Sequence, residues 1–351
     1  MKKSKLKKLL LAFVITTNSF LITTFASTNL TLDDQKFKNN SSTTIAQYSP
    51  DNSALSLLDE SELELIEKNY SISSLNKASN EVNLANQLYS LTNDLNLKNK
   101  IISVERQDKI DAMLEMINIL EKYSINIELE NLIKNYISQY GPYTENDTLI
   151  NYAHSLYNNG IQPRSTYSRT SAVNYAYTWW NSYNLASYPN LTYLGGDCAN
   201  FVSQALVAGG KTTDSNWYIR KLNSNNNTPT TVSQLNSSWS VSNPSPWISA
   251  VEFNNYWSSR ATSTETYAAS LVYNNQQYVY NRPFYIGDAV QILVANYWWY
   301  EGYHTMLITS YDSTNKDFKL TYHTTNRKDV NLNSIANSYN SDKYQFRFFG
   351  M

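Results

Sequence analysis

The sequence predicts an α+β protein, in which an all-helical N-terminal region precedes a domain of helices packed on an antiparallel sheet. Apolar residues recur at helical spacing before residue 140, as in Ile110–Leu120 and Leu129–Tyr140. From Gln277 onward the sequence predicts strands: Gln277–Tyr280 leads into Asp288–Ala295, and later short segments alternate apolar and polar residues, as half-buried strands do. Helices followed by strands, without regular alternation of the two, are typical of the α+β class.

The composition limits the classes of function. The chain has 351 residues, of which 42% are hydrophobic and 16% charged, so it can bury one large core or two ordinary ones. Its formal net charge is −1. No basic excess is present to attract phosphate backbones, so a nucleic-acid partner is not expected.

The first 26 residues have the pattern of an export signal. A lysine-rich start (residues 2–8) precedes an apolar stretch that runs to Ala26, with small residues placed for cleavage before Ser27. We expect residues 1–26 to be a cleaved signal peptide, which leaves no stable membrane span and makes the protein secreted or attached to the cell surface. The alternative is an uncleaved anchor, which Thr16, Thr17 and Asn18 in mid-stretch disfavour.

Three further segments follow. Polar residues 27–53 predict a flexible linker, and residues 54–160 form the helical region, in which no cluster of side chains suggests chemistry. Near Ile161–Pro163 the aromatic content rises and Lys and Glu become rarer. We therefore predict a second domain over 161–351 that folds by itself.

Cys198 is the only cysteine and cannot form an internal disulfide. Gly195 and Gly196 permit a tight turn before it, Asp197 is a good helix N-cap, and the following apolar residues predict a helix to Ala208. A thiol in the first turn of a helix is favoured as thiolate, and nearby N–H groups can hold an oxyanion. The alternative is a buried structural cysteine.

Two histidines lie in the predicted strands downstream. His304 opens one strand (304–311), and His323 lies near the end of the next (318–324). In an antiparallel hairpin the start of one strand lies beside the end of the other. We therefore expect the two histidines to be neighbours at one edge of the sheet, where one can act as the base for Cys198 and the other can orient it.

These segments resemble a known family. The matching segments are Tyr167-Ser168-Arg169, Ala172–Ala176, Gly195–Gln204 and His304-Thr305-Met306. Together they resemble the putative amidase domain of secreted bacterial proteins, which is similar to the papain-like NlpC/P60 and CHAP hydrolases. The resemblance implies a papain-like catalytic domain that hydrolyses amide bonds, in which His304 at the start of a strand is the base and His323 on the next strand orients it. Export and the resemblance together favour a cell-wall peptide as the substrate, and no cofactor is expected. Papain-like enzymes often use Asn as the orienting residue, so Asn326 is the alternative to His323.

Other functions stay open at this stage. The many tryptophans suit a non-catalytic module that binds the cell wall or another surface. Cys198, His304 and His323 could also ligate zinc, although close-spaced ligand pairs are absent from the sequence. An acyltransferase would use the same Cys–His site, because both reactions share the acyl-enzyme.

Overall fold

A computed structural model describes residues 60–144, 146–158, 167–195, 197–222 and 226–351. The predicted signal peptide (1–26), the predicted linker (27–53) and the domain boundary predicted at 160/161 lie outside the described residues, as does Gly196.

Helices make up the N-terminal region within residues 60–158. They are α1 (Glu60–Thr92), α2 (Leu95–Ile102), α3 (Arg106–Lys122), α4 (Ile127–Tyr140) and α5 (Asp147–Asn158). Side-chain caps begin three of them, because Asp94, Asn126 and Asn146 accept the N–H groups of Leu97, Leu129 and Leu149 at 2.9, 2.8 and 3.1 Å. Their apolar faces share one core, centred on residues such as Met113 and Ile133.

The second half of the chain combines helices with a sheet. Its helices are α6 (Arg169–Trp179), α7 (Asp197–Ala208), α8 (Val232–Ser238), α9 (Ala250–Trp257), α10 (Ala269–Asn274), α11 (Gln276–Tyr280) and α12 (Leu332–Ser338). Its strands are β1 (Ile219–Lys221), β2 (Trp239–Val241), β3 (Ser263–Ala268), β4 (Ala289–Asn296), β5 (Trp299–Asp312), β6 (Asp317–Tyr322), β7 (Arg327–Asn331) and β8 (Tyr344–Gly350). β1 and β2 pair alone, and the other strands form an antiparallel sheet in the order β3-β8-β4-β5-β6-β7.

Each face of the large sheet covers a separate core. Val290 and Met306 belong to a core that also contains residues of α10 and α12. Their strand neighbours Ala289 and Leu307 belong to a second core, with residues of α7 and α9. The period-2 alternation of the strands therefore decides which core each side chain enters.

β5 carries an irregularity that matters for the site. Ile292 of β4 pairs with His304, whereas Leu293 pairs with Gly302, so Tyr303 is an extra residue in β5. Such a bulge reverses the facing of all residues beyond it relative to a regular strand.

The predicted mixed class, with helices and an antiparallel sheet, is confirmed. The helix after Cys198 and the strands predicted from Asp288 onward are present. The predicted extended segment Gln277–Tyr280 is wrong: it forms α11, whose backbone closes a helical bond from the Asn281 N–H to the Gln277 carbonyl. This short turn buries only Val279, in the first core.

The helical region and the sheet share buried contacts. Ile66 of α1 lies in the first sheet core, and Trp299 of β5 lies in the core of the N-terminal helices. Lys77 of α1 forms a buried ion pair with Glu301 of β5. Within the described part of the chain, no helix combines the length and apolar character needed to cross a membrane.

Candidate active site

Cys198 lies in the first turn of α7. Gly195, with φ +79°, closes the preceding turn, and α7 begins at Asp197. All residues of α7 from Asp197 to Leu206 are buried, and Cys198 is 2% exposed. The predicted position of the thiol at a helix start is confirmed.

The Cys198 thiol is buried, and burial changes its pKa. Burial is the main cause that raises the pKa of Cys198 to about 11, and the adjacent Asp197 carboxylate acts in the same direction. The backbone N–H and hydroxyl of Thr305, together with the N–H of Ala199, hydrogen-bond the sulfur and partly offset this increase. At neutral pH the buried sulfur in this arrangement is therefore a thiol and not a thiolate.

Asp197 does not serve as the predicted N-cap. Its Oδ1 accepts the N–H of Leu191 at 3.1 Å and the side-chain amide of Asn200 at 3.3 Å. Its Oδ2 lies 2.6 Å from Nδ1 of His323. The carboxylate thus ties the turn before α7 to the end of β6.

His323 is held on both sides of its ring. Besides the Asp197 contact, its Nε2 lies 2.7 Å from the carbonyl oxygen of Trp179, and its ring stacks on Phe201 of α7 with centroids 4.1 Å apart. A carboxylate and a carbonyl oxygen both accept hydrogen bonds, so each ring nitrogen of His323 faces an acceptor. The two contacts fix the ring between the start of α7 and the end of α6.

His304 occupies the other face of the sheet. Thr305 contacts Cys198, and consecutive strand residues point to opposite faces, so the His304 ring points away from the thiol. It packs edge-on against Tyr322 in the first core, with centroids 5.0 Å apart. Its Nε2 has no hydrogen-bond partner among the described residues, and burial lowers the pKa of His304 to about 3.

The expected contacts among these residues therefore differ from those in the structure. In the part of the chain that the structure describes, His304 hydrogen-bonds neither Cys198 nor His323, because β5 begins at Trp299 and the bulge at Tyr303 sets the facing of His304. Asn326 lies in the turn after β6, with φ +54°, and its side chain bonds Tyr183. The catalytic roles predicted for Cys198, His304, His323 and Asn326 stay predictions.

Two groups that contact the candidate site residues were not predicted from the sequence. Thr305 lies within the His304-Thr305-Met306 motif, but only the strand register decides whether Thr305 or His304 meets α7. The Trp179 carbonyl left no signal, because any residue supplies one. Among the described residues, no three His, Cys, Asp or Glu side chains are grouped as a metal site requires.

The comparisons with known proteins give one match. A family model described as a putative amidase domain matches residues 166–347, slightly more than half of the 351 residues. The matched segment contains α7 and both histidines of the sheet. No curated protein and no solved structure has significant similarity to the chain. The amidase-domain resemblance is thereby confirmed, and the likeness to NlpC/P60 and CHAP hydrolases stays a prediction.

Proposed function

The chain belongs to the putative amidase domain family, and from this premise we propose that it is a cysteine-dependent amide hydrolase with Cys198 as nucleophile. The observation that carries the proposal is the position of Cys198, in the first turn of α7 beside the buried Asp197–His323 pair. Free N–H groups of the first helical turn favour a thiolate and can hold the oxyanion of a tetrahedral intermediate. The backbone N–H of Cys198 is the donor we assign to this role.

We assign the proton-transfer role to His323 and the orienting role to Asp197. Leu307 of β5 pairs with Thr321 of β6, and continuing this register by two residues brings Thr305 opposite His323. Thr305 contacts the sulfur, so His323 belongs to the same face as Cys198. A carboxylate on Nδ1 fixes the ring and favours its charged form, as in Ser- and Cys-based triads. In the working enzyme, Nε2 exchanges the Trp179 carbonyl for the sulfur.

The reaction then follows from these roles. The thiolate attacks the amide carbon, and a C–S bond forms as the carbonyl oxygen becomes an oxyanion. The imidazolium of His323 gives its proton to the leaving nitrogen as the C–N bond breaks, which leaves a thioester. The neutral imidazole takes a proton from water, and the resulting attack releases the acid and restores the thiolate.

We further propose a peptidoglycan-type peptide as substrate and the cell exterior as location. The export signal in residues 1–26 and the resemblance to secreted amidases support both. An acyltransferase would pass the same thioester to an amine in place of water, so the products distinguish the two reactions.

The test is the incubation of purified cell wall with the protein, followed by mass analysis of the released fragments. The wild type and three variants are compared: Cys198→Ala, His323→Asn and His304→Asn. The two histidine variants are a matched pair, since both remove a buried ring. We expect new amine and carboxyl ends with the wild type and His304→Asn, and none with Cys198→Ala.

Retained release by Cys198→Ala would refute the cysteine mechanism. Wall binding that is equal in wild type and Cys198→Ala, with no fragment released by either, would favour the non-catalytic binding module. Fragments joined to an added amine would instead favour the acyltransferase.

A further inference from the structure

The first turns of α1 lie against the turn that precedes Cys198. A Cβ added at Gly195 would come within 2.7 Å of the Asn69 carbonyl oxygen and 2.9 Å of the Ile72 Cβ. Contacts this close are almost never tolerated, so the helix rests directly on the backbone of the turn. Gly195 stands three residues before the thiol.

The same part of α1 also contacts the turn that follows His323. The Asn69 side-chain amide donates to the Thr324 hydroxyl at 3.4 Å, in a buried position. Glu62, which is 4% exposed, forms an ion pair with Arg327 at the start of β7. Residues 62–72 therefore bridge the two turns from which Cys198 and His323 project.

The remainder of α1 is fixed independently. Lys77 pairs with Glu301, and Lys109 of α3 contacts Glu81 at 3.4 Å in the core of the helical region. The start of α1 can therefore leave the site while its later turns stay in place. Besides its polar contacts with the two turns, this part of α1 places Ile66 in the first sheet core, so opening at the start of α1 also withdraws that side chain from the core.

We propose that residues 62–72 of α1 are an autoinhibitory cover over Cys198, an inference that rests on the proposed function. With the cover in place, an amide substrate does not reach the sulfur, which is 2% exposed. Burial is also the largest cause of the raised pKa of the thiol. Opening the cover thus admits substrate and removes the main obstacle to forming the thiolate.

The experiment uses the full chain and two matched double variants. Glu62→Gln/Asn69→Ala removes the ion pair between Glu62 and Arg327 and the hydrogen bond between Asn69 and Thr324. Glu64→Gln/Lys68→Ala changes the same helix at exposed positions. Labelling by iodoacetamide is followed by mass spectrometry of the intact protein, and it reports on Cys198 alone because the chain has one cysteine. Circular dichroism and the unfolding temperature show that each variant is folded.

We expect the first double variant to be labelled roughly tenfold faster than wild type, since labelling follows the population of the open form. Its rate of amide hydrolysis rises in parallel, and the control double variant matches wild type in both. Equal labelling rates in the two double variants would overturn the cover. Faster labelling of the first variant, with no hydrolysis by any form, supports the cover and refutes the proposed amidase activity.

Discussion

The two faces of the large sheet give two histidines, His304 in β5 and His323 after β6, different environments. On one face, His304 is enclosed by the first core, with an aromatic ring against it and an Nε2 that has no hydrogen-bond partner among the described residues. On the other face, Thr305 meets the thiol, and Thr309 bonds Thr321 and Asp329 at 2.8 Å each. The pKa of His304 falls because nothing offsets its burial, whereas His323 is buried against a carboxylate. The face that a histidine occupies, more than its place in a motif, indicates what it can do.

Removal of the Cys198 thiol is the strongest test of the face of the sheet on which Thr305 meets the sulfur. We expect Cys198→Ala to lower amide hydrolysis by roughly a thousandfold or more, since no other side chain forms the thioester. The variant should keep the wild-type circular dichroism spectrum, because alanine fits where the small thiol lay. A folded variant with near-normal activity would show that the chemistry lies elsewhere in the chain.

Replacement of each histidine in turn by asparagine tests the comparison of the two faces directly. We expect His323→Asn to lower kcat by roughly a hundred- to ten-thousandfold, because it removes the proton-transfer group. His304→Asn should change kcat by less than roughly tenfold, because its ring does not reach the sulfur. Steady-state kinetics on one amide substrate measures both. The reverse order would return the base to His304, as the sequence predicts.

The start of β5 offers a test of stability. Glu301, 1% exposed, relies on Lys77 of α1 for its counter-charge. We expect Lys77→Met to lower the free energy of unfolding by about 3–5 kcal/mol, because it leaves a buried carboxylate unpaired. Lys134→Met, at a half-exposed ion pair with Glu130, should cost less than about 1 kcal/mol. Urea unfolding compares them, and equal losses would show that the buried pair carries no special weight.

The same contact bears on the predicted independence of residues 161–351, which stays a prediction. A truncated chain loses both Lys77 and the side chain of Ile66 from the first sheet core. We expect such a chain to be less stable than the full protein, and the single substitution Glu301→Gln in the truncated chain should recover part of the loss.

The pH dependence of stability tests the buried, apolar environment of His304. The pKa of His304 is lowered from 6.5 to about 3 in the folded protein. Between these values the unfolded chain binds a proton that the folded protein does not, so the stability from this group is present above pH 6.5 and lost as the pH falls. Relative to His304→Leu, wild type should lose about 1.4 kcal/mol per pH unit below 6.5. Urea unfolding of both proteins from pH 7.5 to 4.5 measures the difference, and parallel curves would contradict it.

Much of the fold follows from the sequence, and the site follows only in part. Glycines before Cys198 and apolar residues after it were sufficient to predict α7, because caps and periodicity are local signals. The facing of His304 was not predictable, because it depends on the extra residue at Tyr303. Gly302 faces α9, where an added Cβ would come within 2.1 Å of the Ala250 carbonyl oxygen. In a regular strand, His304 would share that face.

The role of Asp197 illustrates a second limit. An Asp before a helix fits an N-cap locally, but its carboxylate instead binds Leu191, Asn200 and His323. The last of these partners lies 126 residues away along the chain. Long-range partners of this kind are set by tertiary packing, which no local pattern reports.

Gly195 carries a consequence for how sequences of this family can vary. Its backbone, with φ +79°, excludes most side chains but is tolerated by asparagine as well as glycine. The close approach of α1, at 2.7 Å from an added Cβ, excludes asparagine too. Members of the family that carry a helix here should therefore have only glycine at this position, and members without one should be free to use asparagine. The residue at this single position would then record, across a set of natural sequences, which relatives keep their cysteine covered.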